Sequence, residues 1–144
     1  MSQKEDIILV ANEASADLAR KVAGRLGVPF SEMLKRRFAD GETYHAFPRS
    51  ISRKNLIVIG ATHNEYSYQE LLDLIQGGRY WNAASVNVVI PYLGYSTMER
   101  AKPDSREIPK GITRTRQIFR ARPDFVAFVD LHSEAVLHAH GGEI

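Results

Sequence analysis

The amino-acid sequence predicts an α/β domain of three layers, with helices on both faces of a mostly parallel sheet. Short apolar runs at Ile7 to Ala11, Leu56 to Ile59, Val86 to Ile90 and Phe125 to Val129 alternate with longer stretches whose apolar residues recur at helical spacing. Strands alternating with helices imply right-handed crossovers and a sheet covered on both sides. Polar clusters also stand where strands run out: Phe38 to Glu42, Tyr92 to Arg100, and Asp130 to His132. The carboxyl edge of an open parallel sheet is where ligands bind, so these clusters are the candidates for chemistry.

The elements follow in order. The run Ile7 to Ala11 ends at Asn12, and Ser15 opens a helix carrying Leu18, Ala19, Val22, Ala23 and Leu26 on one face. Gly27 followed by Val28-Pro29 stops it, as glycine beyond a helix end and proline shortly after do. Met33 to Phe38 and Tyr44 to Phe47 read as extended segments around the turn pair Asp40-Gly41. Leu56 to Ile59 is a buried strand closed by Gly60.

From Tyr66 to Trp81 the positions Tyr68, Leu71, Leu72 and Ile75 define a second helix. Gly77 and Gly78 would each destabilise it by about 1 kcal/mol relative to alanine, so the helix either ends early or lies very close to the sheet. Val86 to Ile90 reads as a strand buried on both faces. Ile108, Ile112, Thr115 and Phe119 recur at steps of 4, 3 and 4 residues and predict a third helix, with Lys110, Arg114 and Gln117 on its opposite side. Phe125 to Val129 is the last clear strand, and the tail His138-Ala139-His140-Gly141-Gly142 shows no further one.

Composition bounds the function. With 144 residues, 44% hydrophobic and 25% charged, the chain suits one soluble domain, which at this size buries roughly 70% of its unfolded surface. Its apolar runs fall far short of the roughly 18 residues of a membrane span, and the charged start Met1 to Asp6 leads straight into a strand without signal-peptide character. The absence of cysteine excludes disulfides and thiol nucleophiles and fits a cytoplasmic location. A net charge of +2 is too small to argue for nucleic acid or an anionic membrane. Arg114, Arg116, Arg120 and Arg122 form the one dense basic stretch, read as a solvated helix face or a phosphate or partner contact. No phosphate-binding glycine loop, dinucleotide fingerprint or serine-nucleophile elbow is present.

Taken by themselves, Asp40 and Glu42 make an ordinary turn or a pair of acceptors for a ligand or for another subunit's arginines. Phe38 beside them is core or a stacking face for a base. His132, at a strand's carboxyl end, is structural, or binds a metal or phosphate. His138 and His140 lack a third metal ligand.

Together the clusters resemble the ribose-phosphate diphosphokinases, which make phosphoribosyl pyrophosphate. The resemblance rests on Leu26-Gly27-Val28-Pro29, Phe38 to Tyr44, Val89 to Tyr95, Lys102-Pro103 with Arg106-Glu107, and Val129 to His132, in the family's order and approximate spacing. It covers nearly the whole chain and implies a phosphoribosyltransferase-like fold, with residues 1–144 as a single amino-terminal, ATP-side domain. Family members transfer the β,γ-diphosphoryl unit of ATP to the 1-hydroxyl of ribose 5-phosphate with Mg2+. By resemblance, Phe38, Asp40 and Glu42 match a loop that reaches the adenine of ATP bound by a neighbouring subunit. On the same grounds Arg100 is a retained cation of the ATP site, and His132 lies at the metal and phosphate site with a catalytic role. A homo-oligomer is thus implied.

Two departures accompany this. Ser96-Thr97-Met98-Glu99-Arg100 stands where the family reads Ala-Arg-Gln-Asp-Arg, so Thr97 replaces a phosphate-neutralising arginine, and Asp104 and Ser105 lengthen the following loop. The family's Val-Asp-Asp and Thr-Gly-Gly loop, which cradles ribose 5-phosphate, has no match in residues 1–144. The expectation is therefore an ATP-side half that is inactive alone, its sugar-phosphate domain absent, or a non-catalytic homologue acting in assembly or regulation.

Overall fold

Four parallel strands, β1 (Ile7–Ala11), β4 (Asn55–Ile59), β5 (Ser85–Ile90) and β6 (Phe125–Phe128), form one sheet in the order β1-β4-β5-β6. The structure is a computed structural model that describes residues 3–134 together with 136 and 137. The register sets Ile8 beside Leu56, Leu56 beside Val86, and Val88 beside Val126. Because side chains alternate across a strand, Ile8, Val10, Leu56, Val58, Val86, Val88 and Ile90 share one face. That face packs on Leu71, Leu74 and Ile75 of α2 (Glu65–Tyr80) and on Ile118 of α3 (Lys110–Arg120). Leu9, Ala11 and Ile59 face the other way, onto Ala19 and Ala23 of α1 (Ala16–Leu26). The result is the three-layer α/β arrangement expected.

Gly27 ends α1 in the left-handed region at φ 67, and the Val28 amide donates back to the Ala23 carbonyl at 3.1 Å. The second helix runs its full length because its glycines let it lie against the sheet. A Cβ on Gly78 would come within 2.8 Å of Leu56 and 3.0 Å of Val86. Asn64 caps it, its side-chain oxygen accepting from the Ser67 amide at 2.8 Å.

Two expectations are corrected. The strand β5 is fully buried on its α2 side only: α1 packs on β1 and β4, leaving Asn87 and Val89 half-buried, with Asn87 Nδ2 donating to Ser85 Oγ at 2.9 Å. The third helix begins at Lys110, after Pro109, so Ile108 precedes it and is exposed; Gly111, Thr115 and Ile118 form the buried face. Its Lys110, Arg114 and Gln117 turn toward α2, where Tyr68 donates to Gln117 Oε1 at 2.6 Å. Burial raises the Tyr68 hydroxyl to about 12.

The segment around Asp40-Gly41 is a separate antiparallel hairpin of β2 (Leu34–Arg37) and β3 (Thr43–Ala46). His138 and His140 lie outside the described residues.

Candidate functional site

The carboxyl edge is assembled from the residues that follow each parallel strand. After β1, Asn12 is wholly buried, and its Nδ2 donates to the carbonyls of Ala61 at 2.8 Å and Ser67 at 3.0 Å. Ser15 Oγ accepts from the Ala61 amide at 2.9 Å, so the exit of β1 is bolted to the exit of β4. Thr62 then receives the segment leaving β5. Its amide donates to the Tyr92 carbonyl at 2.9 Å and its hydroxyl accepts from the Gly94 amide at 3.0 Å. A Cβ at Gly94 would overlap the Thr62 carbonyl, which explains the glycine in Leu93-Gly94-Tyr95.

Tyr95 sits in the left-handed region at φ 62 and precedes a 3₁₀ turn, Ser96–Met98. Its hydroxyl donates to Glu65 Oε1 at 2.6 Å, and the Arg114 guanidinium donates to the same oxygen at 3.0 Å. The Tyr95 hydrogen bond, then the Arg114 hydrogen bond, hold the Glu65 carboxyl below its usual range despite some desolvation. The guanidinium also lies over the rings of Tyr68 and Tyr95 at 5.5 and 5.7 Å. One carboxylate at the start of α2 thus ties the post-β5 segment to α3.

Beyond that anchor, Thr97 and Arg100 are exposed. At the end of β6 the Val129 amide still donates to Ile90, at 3.1 Å; Asp130 then enters the left-handed region at φ 55, and His132 is exposed. Arg100 and His132 therefore follow neighbouring strands on one edge.

The acidic turn lies elsewhere. Phe38 is half-exposed, and Asp40 and Glu42 are exposed. The Asp40 carboxylate accepts from the Glu42 amide at 3.0 Å and so stiffens its own turn. Its hairpin is fixed to α2 and to the residues after β1. His45 Nε2 lies 2.8 Å from Glu70 Oε2, Glu70 Oε1 accepts from the Glu13 amide at 2.6 Å, and Arg37 stacks on Tyr66 at 4.6 Å. The hairpin accordingly belongs to the β1 flank, whereas His132 follows β6 at the opposite flank. Arg100 and His132 follow neighbouring strands, and among the described residues no hydrogen bond or ion pair joins them to Phe38, Asp40 or Glu42.

A cleft of about 870 Å3 lies between β3, the loop after it and α2, and none of the five predicted residues lines it. Glu65, His45 and Glu70 were not singled out from the sequence, whereas Tyr95 and Arg114 stood in the Tyr92 to Arg100 cluster and the basic stretch without their shared contact to Glu65. Glu70 does leave a signal there: an acid between Tyr68 and Leu71 on the apolar face of α2 must find a partner when buried. Among the described residues no three histidine or acidic side chains converge as a metal cage.

Fold and edge define the class: an open parallel α/β domain whose polar loops gather at the strand ends. Residues 7–112 match the family model for the N-terminal domain of ribose phosphate pyrophosphokinase. The chain belongs to that family. It is 32% identical over 138 residues to a ribose-phosphate pyrophosphokinase of Xanthomonas campestris, covering 94% of this chain and 43% of that protein. It is 30% identical over 133 residues to one of Thermoplasma acidophilum, covering 90% and 44%. The chain thus spans less than half the length of these relatives. Phosphoribosylpyrophosphate synthetase from Mycobacterium smegmatis shares the fold, with a TM-score of 0.83 at 24% identity over 94% of this chain and 46% of that one.

Proposed function

We propose that this chain is the ATP-side half of a ribose-phosphate diphosphokinase, incomplete for turnover without a sugar-phosphate domain, and that its nucleotide site is shared between copies. The observation that supports the shared site is that the acidic turn sits on its own hairpin and, among the described residues, forms no hydrogen bond or ion pair with Arg100 or His132. Two such groups of residues serve one ligand when a second copy supplies the half that is missing. Phe38 would stack on the base while Asp40 and Glu42 accept its amino group. Arg100 and His132 of the other copy would face the phosphates, where this chemistry needs positioning and charge neutralisation more than a nucleophile.

Magnesium fits this edge in one way. Asp130 and His132 offer one carboxylate and one imidazole, a donor set for an ion held chiefly by nucleotide phosphates rather than by a protein cage. When bound, the ion would neutralise phosphate charge; the residues' own task is to orient the phosphate chain. Among the described residues no helix is long and apolar enough to cross a membrane, and we assign the protein to the cytoplasm with its nucleotide substrates.

AMP release from ATP, ribose 5-phosphate and magnesium tests the half-site reading. These 144 residues alone are expected to show none, and robust turnover would refute it. Exposed Thr97, in place of the family's arginine, favours a second reading, a non-catalytic homologue that assembles with active subunits. Co-purification with a full-length relative and an altered rate on mixing would support that reading.

A further inference from the structure

At the amino edge of the sheet, opposite the site above, the last turns of α2 and α3 enclose a cleft of about 290 Å3 lined by Gln76, Arg79, Tyr80, Arg120, Ala121 and Arg122. Its floor is rigid. Arg79 Nε donates to the Arg122 carbonyl at 2.6 Å, and its Nη2 pairs with Asp124 at 2.6 Å. Asp124 in turn accepts from the Val86 amide at 2.7 Å. Arg79 is therefore neutralised and structural, whereas the Arg120 and Arg122 guanidinium groups have no hydrogen bond or ion pair among the described residues. Arg122 follows the end of α3 at φ 63, a backbone position that favours glycine by roughly 1 kcal/mol.

Beside these cations Tyr80 is 80% exposed and meets Trp81, 61% exposed, edge to face at 5.2 Å. Gln76 and Tyr80 lie one turn apart on α2, so an amide and a phenol face line the same wall. Two unneutralised guanidinium groups suit a phosphate dianion, which arginine grips through paired donors. An open aromatic face and an amide suit a planar, hydrogen-bonding base. The volume sits at the lower end of the range for small-molecule clefts, enough for a single nucleotide unit.

We propose that this cleft binds a nucleoside monophosphate, with the phosphate on Arg120 and Arg122 and the base against Tyr80 and Gln76. The inference is independent of the site at the carboxyl edge. Titration of the 144-residue chain with AMP, inorganic phosphate and adenosine, followed by calorimetry and by fluorescence of Trp81, tests it. AMP should bind more tightly than either fragment. R120Q combined with R122G, which suits the left-handed backbone, should weaken AMP and phosphate at least tenfold, while Y80A should weaken AMP and spare phosphate. Repeated in the D40A/E42A background, which removes the adenine acceptors of the other site, the titrations should still show the loss on changing Arg120 and Arg122, separating this cleft from that site. No AMP binding, binding indifferent to the arginine changes, or a single-stranded oligonucleotide held far more tightly through the same arginines would overturn the assignment.

Discussion

Glu70 Oε2 on α2 stands 2.8 Å from the imidazole Nε2 of His45 on β3, the side chains being 2% and 8% exposed. The second carboxylate oxygen holds the Glu13 amide, so this single acid joins the hairpin, α2 and the turn after β1. Removing one member of a buried pair leaves the other without its partner. Glu70→Ala is expected to lower stability by about 3 kcal/mol in urea denaturation and to speed amide exchange across β2 and β3 ahead of the main sheet. Uniform exchange with unchanged stability would show that the pair does not hold the hairpin.

Gly94 touches Thr62 so closely that no side chain fits between them. Gly94→Ala should cost about 1–3 kcal/mol, the range for forcing atoms into a packed site. Exchange at residues 92–100 should rise with it, whereas Gly24→Ala, with nothing within 4 Å of its added Cβ, should be neutral or stabilising.

The Glu65 contacts give a signed pH dependence. Its carboxyl is lowered first by Tyr95 and next by Arg114, so the stabilisation is present above the ordinary glutamate value of 4.5 and is lost as pH falls through the lower folded value. The side chain is 55% exposed, which limits the pair to under about 1 kcal/mol at neutral pH. Glu65→Gln should therefore be slightly less stable than the parent at pH 7 and converge with it below the lowered value, as read by thermal unfolding across pH. A difference that persists in acid would assign the effect to packing.

Much of the layer architecture was legible because strand runs and helix faces carry different periodicities, and because Gly27 and the Asp40-Gly41 turn mark boundaries by backbone chemistry. The ambiguity over Gly77 and Gly78 was resolved only by packing: the glycines permit contact with Phe47, Leu56 and Val86, none of which local propensity can see. The phase of α3 was misread for a related reason. Its buried positions include Gly111 and Thr115, the latter satisfying its hydroxyl on the Gly111 carbonyl at 2.7 Å, so hydrophobicity understated that face. At the site, the motif residues Phe38, Asp40, Glu42, Arg100 and His132 stood out by type and place. The anchors His45–Glu70 and Tyr95–Glu65 that position them depend on contacts between residues 25 and 30 positions apart.

A site divided between copies is the central claim, and subunit complementation tests it most directly. D40A/E42A protein and H132A protein, each expected to bind a non-hydrolysable ATP analogue poorly with magnesium, would be co-refolded in equal amounts and titrated by calorimetry. Intact halves then meet in mixed pairs, and in a two-fold dimer about a quarter of the sites should regain parental affinity. Recovery of that fraction is the predicted result; binding in the mixture no better than in either variant alone would contradict a shared site.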